Sequence, residues 1–218
     1  MKIEKLILGN YSSNCYIISD KEDITLIDPG SLEVEKIINY IVENNLNLKR
    51  VLLTHGHFDH IAGLKNILKY FKDIEIVIGI EEVNFLNNIE LNLSYYLDKK
   101  IEFDLDKLNL LKVKENDIVD DFYVIDTPGH TIGSKTYYLK NMNVMFVGDF
   151  IFENTIGRTD FLTGDFFQMK KSIKKILTFK DNIIIMSGHG RNSTIGDERK
   201  NLEKILKRTW KKDINVIK

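Results

Sequence analysis

Three of the chain's five histidines lie between positions 55 and 60, in Thr54-His55-Gly56-His57-Phe58-Asp59-His60. Any fold that keeps this segment must gather three imidazoles and a carboxylate into one small volume. The segment directly follows the strand-like run Val51 to Leu53. Alternate residues of an extended chain share a face, so His55 and His57 point the same way, and Gly56 lets the backbone turn tightly. Asp59 and His60 then open a helix predicted over Ile61 to Phe71, where apolar residues recur three and four apart. One short stretch supplies four possible metal ligands.

The other two histidines have the same setting. His130, in Thr127-Pro128-Gly129-His130-Thr131, follows the strand-like Phe122 to Ile125, and His189, in Ser187-Gly188-His189-Gly190, follows Ile183 to Met186. Asp149, in Val147-Gly148-Asp149, follows Val144 to Val147. Four strand ends thus deliver polar groups beside glycine, and one shared edge is the simplest arrangement. Imidazole with carboxylate suits zinc or iron, whereas magnesium and calcium prefer oxygen alone. A single cysteine, Cys15, excludes an intrachain disulfide and a multi-cysteine zinc site, and it suits a reducing compartment, so a cytoplasmic location is expected. Its apolar strand setting reads as buried packing rather than a reactive thiol.

Further strands are expected at Ile3 to Leu8, Cys15 to Ile18, Ile24 to Ile27, Ile74 to Ile78 and Thr136 to Leu139, with helices at Leu32 to Asn44, Phe166 to Leu177 and from about Asp197. Glu81 to Asn116, Asn-rich and acidic, reads as a helix followed by an irregular excursion. No linker, repeat or composition shift divides the 218 residues, so one domain over 1–218 is expected. Lys+Arg 31 against Asp+Glu 32 leaves no electrostatic footprint for nucleic acid, and no apolar run approaches the roughly 20 residues that span a bilayer. The Lys-rich end, Lys204 to Lys218, reads as a solvated helix face.

In order and spacing, the His-x-His-x-Asp-His loop, then His130, Asp149 and His189, resemble the metallo-β-lactamase superfamily, from Asp28-Pro29-Gly30 through Gly188-His189-Gly190. The resemblance implies an α/β (α+β) chain folded as a four-layer αββα sandwich. It implies one metal held by His55, His57 and His130, a second held by Asp59, His60 and His189, and Asp149 bridging them. Two divalent ions are expected, zinc first, with iron or manganese also accepted. Asp59 would orient the attacking water or shuttle its proton. Asp28 and Thr54 are placed either to hydrogen-bond the ligand imidazoles or to serve as turn and cap residues.

Among branches of the superfamily, the chain looks like short hydroxyacylglutathione hydrolases (glyoxalase II-like), through Gly148-Asp149-Phe150 and Ile156-Gly157-Arg158-Thr159-Asp160. The implied reaction is hydrolysis of a small-molecule thioester through a metal-bound hydroxide. The alternatives are a persulfide dioxygenase with a single iron, or a hydrolase of another small ester or lactone. A β-lactamase activity is disfavoured, because Asp149 stands where many two-zinc lactamases carry cysteine. Arg158 either binds a substrate carboxylate or pairs internally with Asp160 or Asp165.

Overall fold

The computed structural model describes residues 1–208; the far end of the Lys-rich segment lies outside the described residues. Its strands are β1 (Lys2–Leu8), β2 (Ser13–Asp20), β3 (Asp23–Ile27), β4 (Asn47–Leu52), β5 (Glu75–Gly79), β6 (Leu110–Val113), β7 (Ile118–Val119), β8 (Phe122–Asp126), β9 (Lys135–Leu139), β10 (Val144–Gly148), β11 (Ile151–Phe152), β12 (Thr155–Ile156), β13 (Ile184–Ser187) and β14 (Ser193–Thr194). The α-helices are α1 (Glu35–Glu43), α2 (Phe58–Ile61), α3 (Leu64–Tyr70), α4 (Phe166–Ile176) and α5 (Ile195–Lys207).

Two six-stranded sheets form, one in the order β1-β2-β3-β4-β5-β6 and the other β14-β13-β10-β9-β8-β7. In the first, β1 to β3 are antiparallel and β3 to β6 run parallel; in the second, only β10 and β13 are parallel. Alternation decides which side chains go where. Ile18, Ile27, Leu52 and Val77 of the first sheet meet Phe122, Val124, Tyr137 and Phe146 of the second in an apolar layer between them. The alternate residues of the first sheet, such as Leu26, Val51 and Ile76, pack outward on α1 and α3 through Ile37, Ile41, Leu64 and Ile67. Met145, Val147 and Ile185 of the second sheet pack on Met169, Ile173 and Ile176 of α4 and Leu202 and Ile205 of α5. Helix, sheet, sheet, helix is the expected αββα order.

The outer helices α4 and α5 are amphipathic by spacing and begin at side-chain caps. Asp165 accepts hydrogen bonds from the backbone N–H groups of Phe167 and Gln168, and Thr194 accepts from that of Asp197. Such caps each contribute about 1 kcal/mol.

Two expectations need correction. The helix expected over Ile61 to Phe71 begins earlier, at Phe58, and is broken at Ala62-Gly63 into α2 and α3. At the break the Gly63 N–H donates to the Pro29 carbonyl at 2.7 Å, and a Cβ there would lie 2.4 and 2.7 Å from the Pro29 and Ser31 carbonyl oxygens, which leaves room only for glycine. The stretch Glu81 to Asn116 is a 3₁₀ segment, Ile80–Asn87, then turns that end in the strand β6. It is packed, not loose: Phe85, Leu86, Ile101 and Phe103 are buried. Among the described residues, no helix is long and apolar enough to cross a membrane.

Candidate metal centre

The C-terminal ends of β3, β4, β8, β10 and β13 open on one edge of the sandwich, and the loops leaving them carry the polar residues singled out above. The loop after β4 is pinned by the second sheet: Tyr137 donates its hydroxyl to the Leu53 carbonyl (2.9 Å), and the Lys135 N–H donates to the Thr54 carbonyl (2.8 Å). The loop after β13 is pinned by β2. There the Asn14 amide donates to the Ser187 and Gly190 carbonyls, and the Tyr16 hydroxyl donates to Ser187 (2.7 Å). Two glycines make the close approach possible. A Cβ on Gly148 (φ +53°) would lie 2.2 Å from Thr54 Oγ1, and one on Gly188 would lie 2.2 Å from Asp149 Oδ1.

Three triads result, each offering ligand atoms within 4.8 Å of one another: His55, His57 and His130; His55, His60 and Asp149; Asp59, His60 and His189. His57 Nδ1 and His130 Nε2 are 2.9 Å apart, and Asp59 Oδ2 lies 3.2 Å from His189 Nε2. Asp149 stands between the groups, with Oδ1 3.3 Å from His60 Nε2 and Oδ2 3.7 and 3.6 Å from the Nε2 atoms of His130 and His189.

The far ring nitrogens are held from outside. His60 Nδ1 meets Asp28 Oδ2 at 2.9 Å, His55 Nδ1 meets Thr54 Oγ1 at 3.1 Å, and His130 Nδ1 meets the Arg158 carbonyl at 2.8 Å. Asp28 itself accepts from the Thr54 backbone N–H and hydroxyl, at 2.8 and 2.6 Å. Each of these three rings therefore turns Nε2 inward. His55 Nε2, His60 Nε2 and Asp149 Oδ1 are buried with no well-directed hydrogen-bond partner. Orphaned polar atoms at this depth are costly, and a divalent cation satisfies all three at once. The donor set fits such an ion.

The charges agree. Burial and the neighbouring imidazoles hold His55 well below the usual histidine range, burial and His130 bring His57 to about 3, and burial lowers His130. These rings are neutral and present lone pairs near pH 7. Burial opposes charge on Asp149 and Asp59, but His60 and the other imidazoles hold both carboxyls below their ordinary value. Burial likewise opposes charge on His60, yet Asp149, Asp28 and Asp59 push it well above the usual histidine range. A proton held among three carboxylates is what a divalent cation replaces.

The centre opens into a cleft of about 630 Å³, walled by Tyr11, Phe58, Leu93, Tyr96, Phe152 and Phe161. Arg158 lines it but is engaged: Nε and one terminal nitrogen reach Asp160 at 2.7 Å each, and the guanidinium stacks 4.0 Å over Phe161. Asp165 caps α4 instead. The aromatic walls escaped sequence reasoning, since single aromatics scattered far apart along the chain carry no local signal. Cys15 is buried, and burial and Asp28 push its thiol far up.

The family model for the metallo-beta-lactamase superfamily matches residues 8–189. Hydroxyacylglutathione hydrolase GloC of Haemophilus influenzae is 34% identical over 211 residues, 92% of this chain and 96% of that protein. Among solved structures, the B3 metallo-beta-lactamase BLEG-1 superposes with a TM-score of 0.82 at 32% identity, over 91% of this chain and 97% of its own. TTHA1623, solved in a di-iron-bound form, gives 0.82 at 26% identity over 91% and 98%.

Proposed function

The chain belongs to the metallo-beta-lactamase superfamily and is on that ground a metallohydrolase; from this premise we propose that it hydrolyses a thioester of the hydroxyacylglutathione type at a centre of two divalent ions. In this reading His55, His57 and His130 hold one ion, Asp59, His60 and His189 hold the other, and Asp149 bridges them. The observation that carries it is the convergence of these groups, in triads within 4.8 Å, around three buried atoms with no well-directed hydrogen-bond partner. Likeness to GloC supports the thioester over other substrates. Zinc is proposed first, with iron or manganese as alternatives, because the set is all nitrogen and carboxylate oxygen.

Bound ions would supply a water acidified toward neutrality and an electrophile for the carbonyl oxygen. The protein's own groups do the rest. Asp59 lines the cleft as a carboxylate and is placed to orient the attacking water and accept its proton. Asp28, Thr54 and the Arg158 carbonyl fix the tautomers of His60, His55 and His130, keeping each Nε2 free of hydrogen. Phe58, Phe152 and Phe161 exclude bulk water and give the acyl chain an apolar surface. Arg158, neutralised by Asp160, acts through its carbonyl and its stacked plane more than as a free carboxylate receptor.

The test is hydrolysis of S-D-lactoylglutathione by metal-reconstituted protein, followed as loss of thioester absorbance, with metal content measured on the same sample. Two ions per chain with efficient turnover support the reading. One iron with oxygen uptake on glutathione persulfide would replace it by a dioxygenase, and preferential turnover of a β-lactam would move it to the activity named for BLEG-1.

A further inference from the structure

Glu82 belongs to none of the triads, yet it touches two of the loops that build them. It lies in the 3₁₀ segment Ile80–Asn87, after β5, and its side chain is fully buried at 0% exposure. Oε2 accepts from the backbone N–H of Gly56 at 2.8 Å, and Oε1 from that of Gly133 at 2.8 Å. Gly56 stands between His55 and His57, and Gly133 closes the turn that begins at His130. The two glycines come from loops of opposite sheets.

The contacts around this carboxyl leave it little freedom. Phe85, one turn further on, covers Gly56 so closely that a Cβ there would be 2.3 Å from the Phe85 Cβ. A Cβ on Gly133 would fall 2.8 Å from Glu82 Cγ. Glu81, its neighbour, holds Lys135 Nζ at 2.8 Å, and Lys135 also reaches Asp126. A buried carboxyl is expensive where an apolar side chain would pack as well, so packing alone does not account for one here.

We propose that Glu82 is a positioning residue for the metal centre: its two oxygens tie the His55-Gly56-His57 loop to the His130 loop and thereby set the spacing of His55, His57 and His130. The inference rests on the metal centre proposed above but not on the identity of the substrate. A two-pronged acceptor fixes the distance between two N–H donors on separate sheets more tightly than the apolar layer beneath them can. Glutamine supplies one acceptor and turns an NH₂ toward the other donor; leucine supplies none.

Glu82→Gln and Glu82→Leu in the full chain test this, with zinc affinity read by competition with a chromophoric chelator and geometry read from the visible spectrum of the cobalt-substituted protein. Outer groups that orient ligands typically contribute about 10–100-fold in metal affinity. Glu82→Gln is expected to weaken one of the two ions within that range and change the cobalt spectrum, and Glu82→Leu to weaken it further, with KM for any turned-over thioester unchanged. Wild-type affinity and spectrum in either folded variant overturn the proposal, as does full recovery in Glu82→Leu, which would mark a packing site. Failure of both variants to fold also overturns it, in favour of a purely structural role. A wild-type chain that binds no ion removes the metal centre itself and this inference with it, a failure distinct from any specific to the variants.

Discussion

Glu82→Gln also makes a stability prediction that can be worked from the structure. Burial pushes the Glu82 carboxyl from its ordinary 4.5 up to about 7, against the hydrogen bonds from Thr131, Gly56 and Gly133 that favour its charged form. Its folded-state value is raised, so its contribution is fully present below 4.5 and is lost as pH rises through about 7. Each tenfold change in proton affinity is about 1.4 kcal/mol, so ionised Glu82 withdraws about 3 kcal/mol from the fold above pH 7. That is a large share of the roughly 5–15 kcal/mol that holds a typical domain together. Glutamine does not titrate, so whatever it costs at this position is the same at every pH. The unfolding free energy of Glu82→Gln minus that of the wild type is therefore expected to grow by about 3 kcal/mol between pH 4.5 and 8, nearly all of it below pH 7. All other titrating groups are shared and cancel in the difference. The assay is urea denaturation followed by circular dichroism, in chelator, because an ion that binds only the folded chain would add its own pH dependence. A difference that stays constant across this range would falsify the argument. One that shrinks as pH rises would show that the three hydrogen bonds outweigh burial.

Four other outcomes are expected. Asp149→Ala should lower thioester turnover by orders of magnitude and reduce bound metal below two ions while the chain stays folded, since Asp149 is the group between the triads; wild-type metal content would refute its bridging role. Asp28→Asn keeps a residue tolerant of the positive backbone angle at this position (φ +50°) but loses the charge facing His60 Nδ1, and should weaken metal binding about 10–100-fold by chelator competition. Gly188→Ala would place a methyl 2.2 Å from Asp149 Oδ1 and should cut kcat far more than it lowers Tm, a split visible by comparing turnover with thermal melting. Arg158→Ala removes an exposed ion pair with Asp160, so stability should change by less than about 1 kcal/mol; a large rise in KM with unchanged kcat would show instead that Arg158 binds a substrate carboxylate.

The candidate ligands were readable because they announce themselves locally: His55, His57, His130, Asp149 and His189 each stand next to glycine just past an apolar run that reads as a strand, and Asp59 and His60 complete the same short segment. The stops at Gly188 and Gly148 are visible for the same reason, since a ligand carried on a tight backbone needs a neighbour without a side chain. β6 was missed because Leu110 to Val113 is short and follows the stretch from Glu81 with no legible period, so only pairing with β5 makes it a strand. The break between α2 and α3 was missed because it is imposed from outside: the Gly63 N–H donates to the Pro29 carbonyl at 2.7 Å. Local pattern predicts what a segment can be, and contacts far along the chain decide where it must stop.

Glu82 is the extreme case of a residue placed by distant contacts. In sequence it is the second of two acidic residues, Glu81-Glu82, in the Asn-rich, acidic stretch that reads as a helix followed by an irregular excursion. In the fold the pair divides. Glu81 stays partly exposed and pairs with Lys135, while Glu82 is driven inward by the 3₁₀ winding of Ile80–Asn87, which places it over the two glycine N–H groups that no strand satisfies. Those N–H groups are left unpaired because the loops depart from their sheets to present His55, His57 and His130. The need for an acceptor at Glu82 is thus a consequence of the metal centre's own geometry, which is why no pattern local to residue 82 could have announced it.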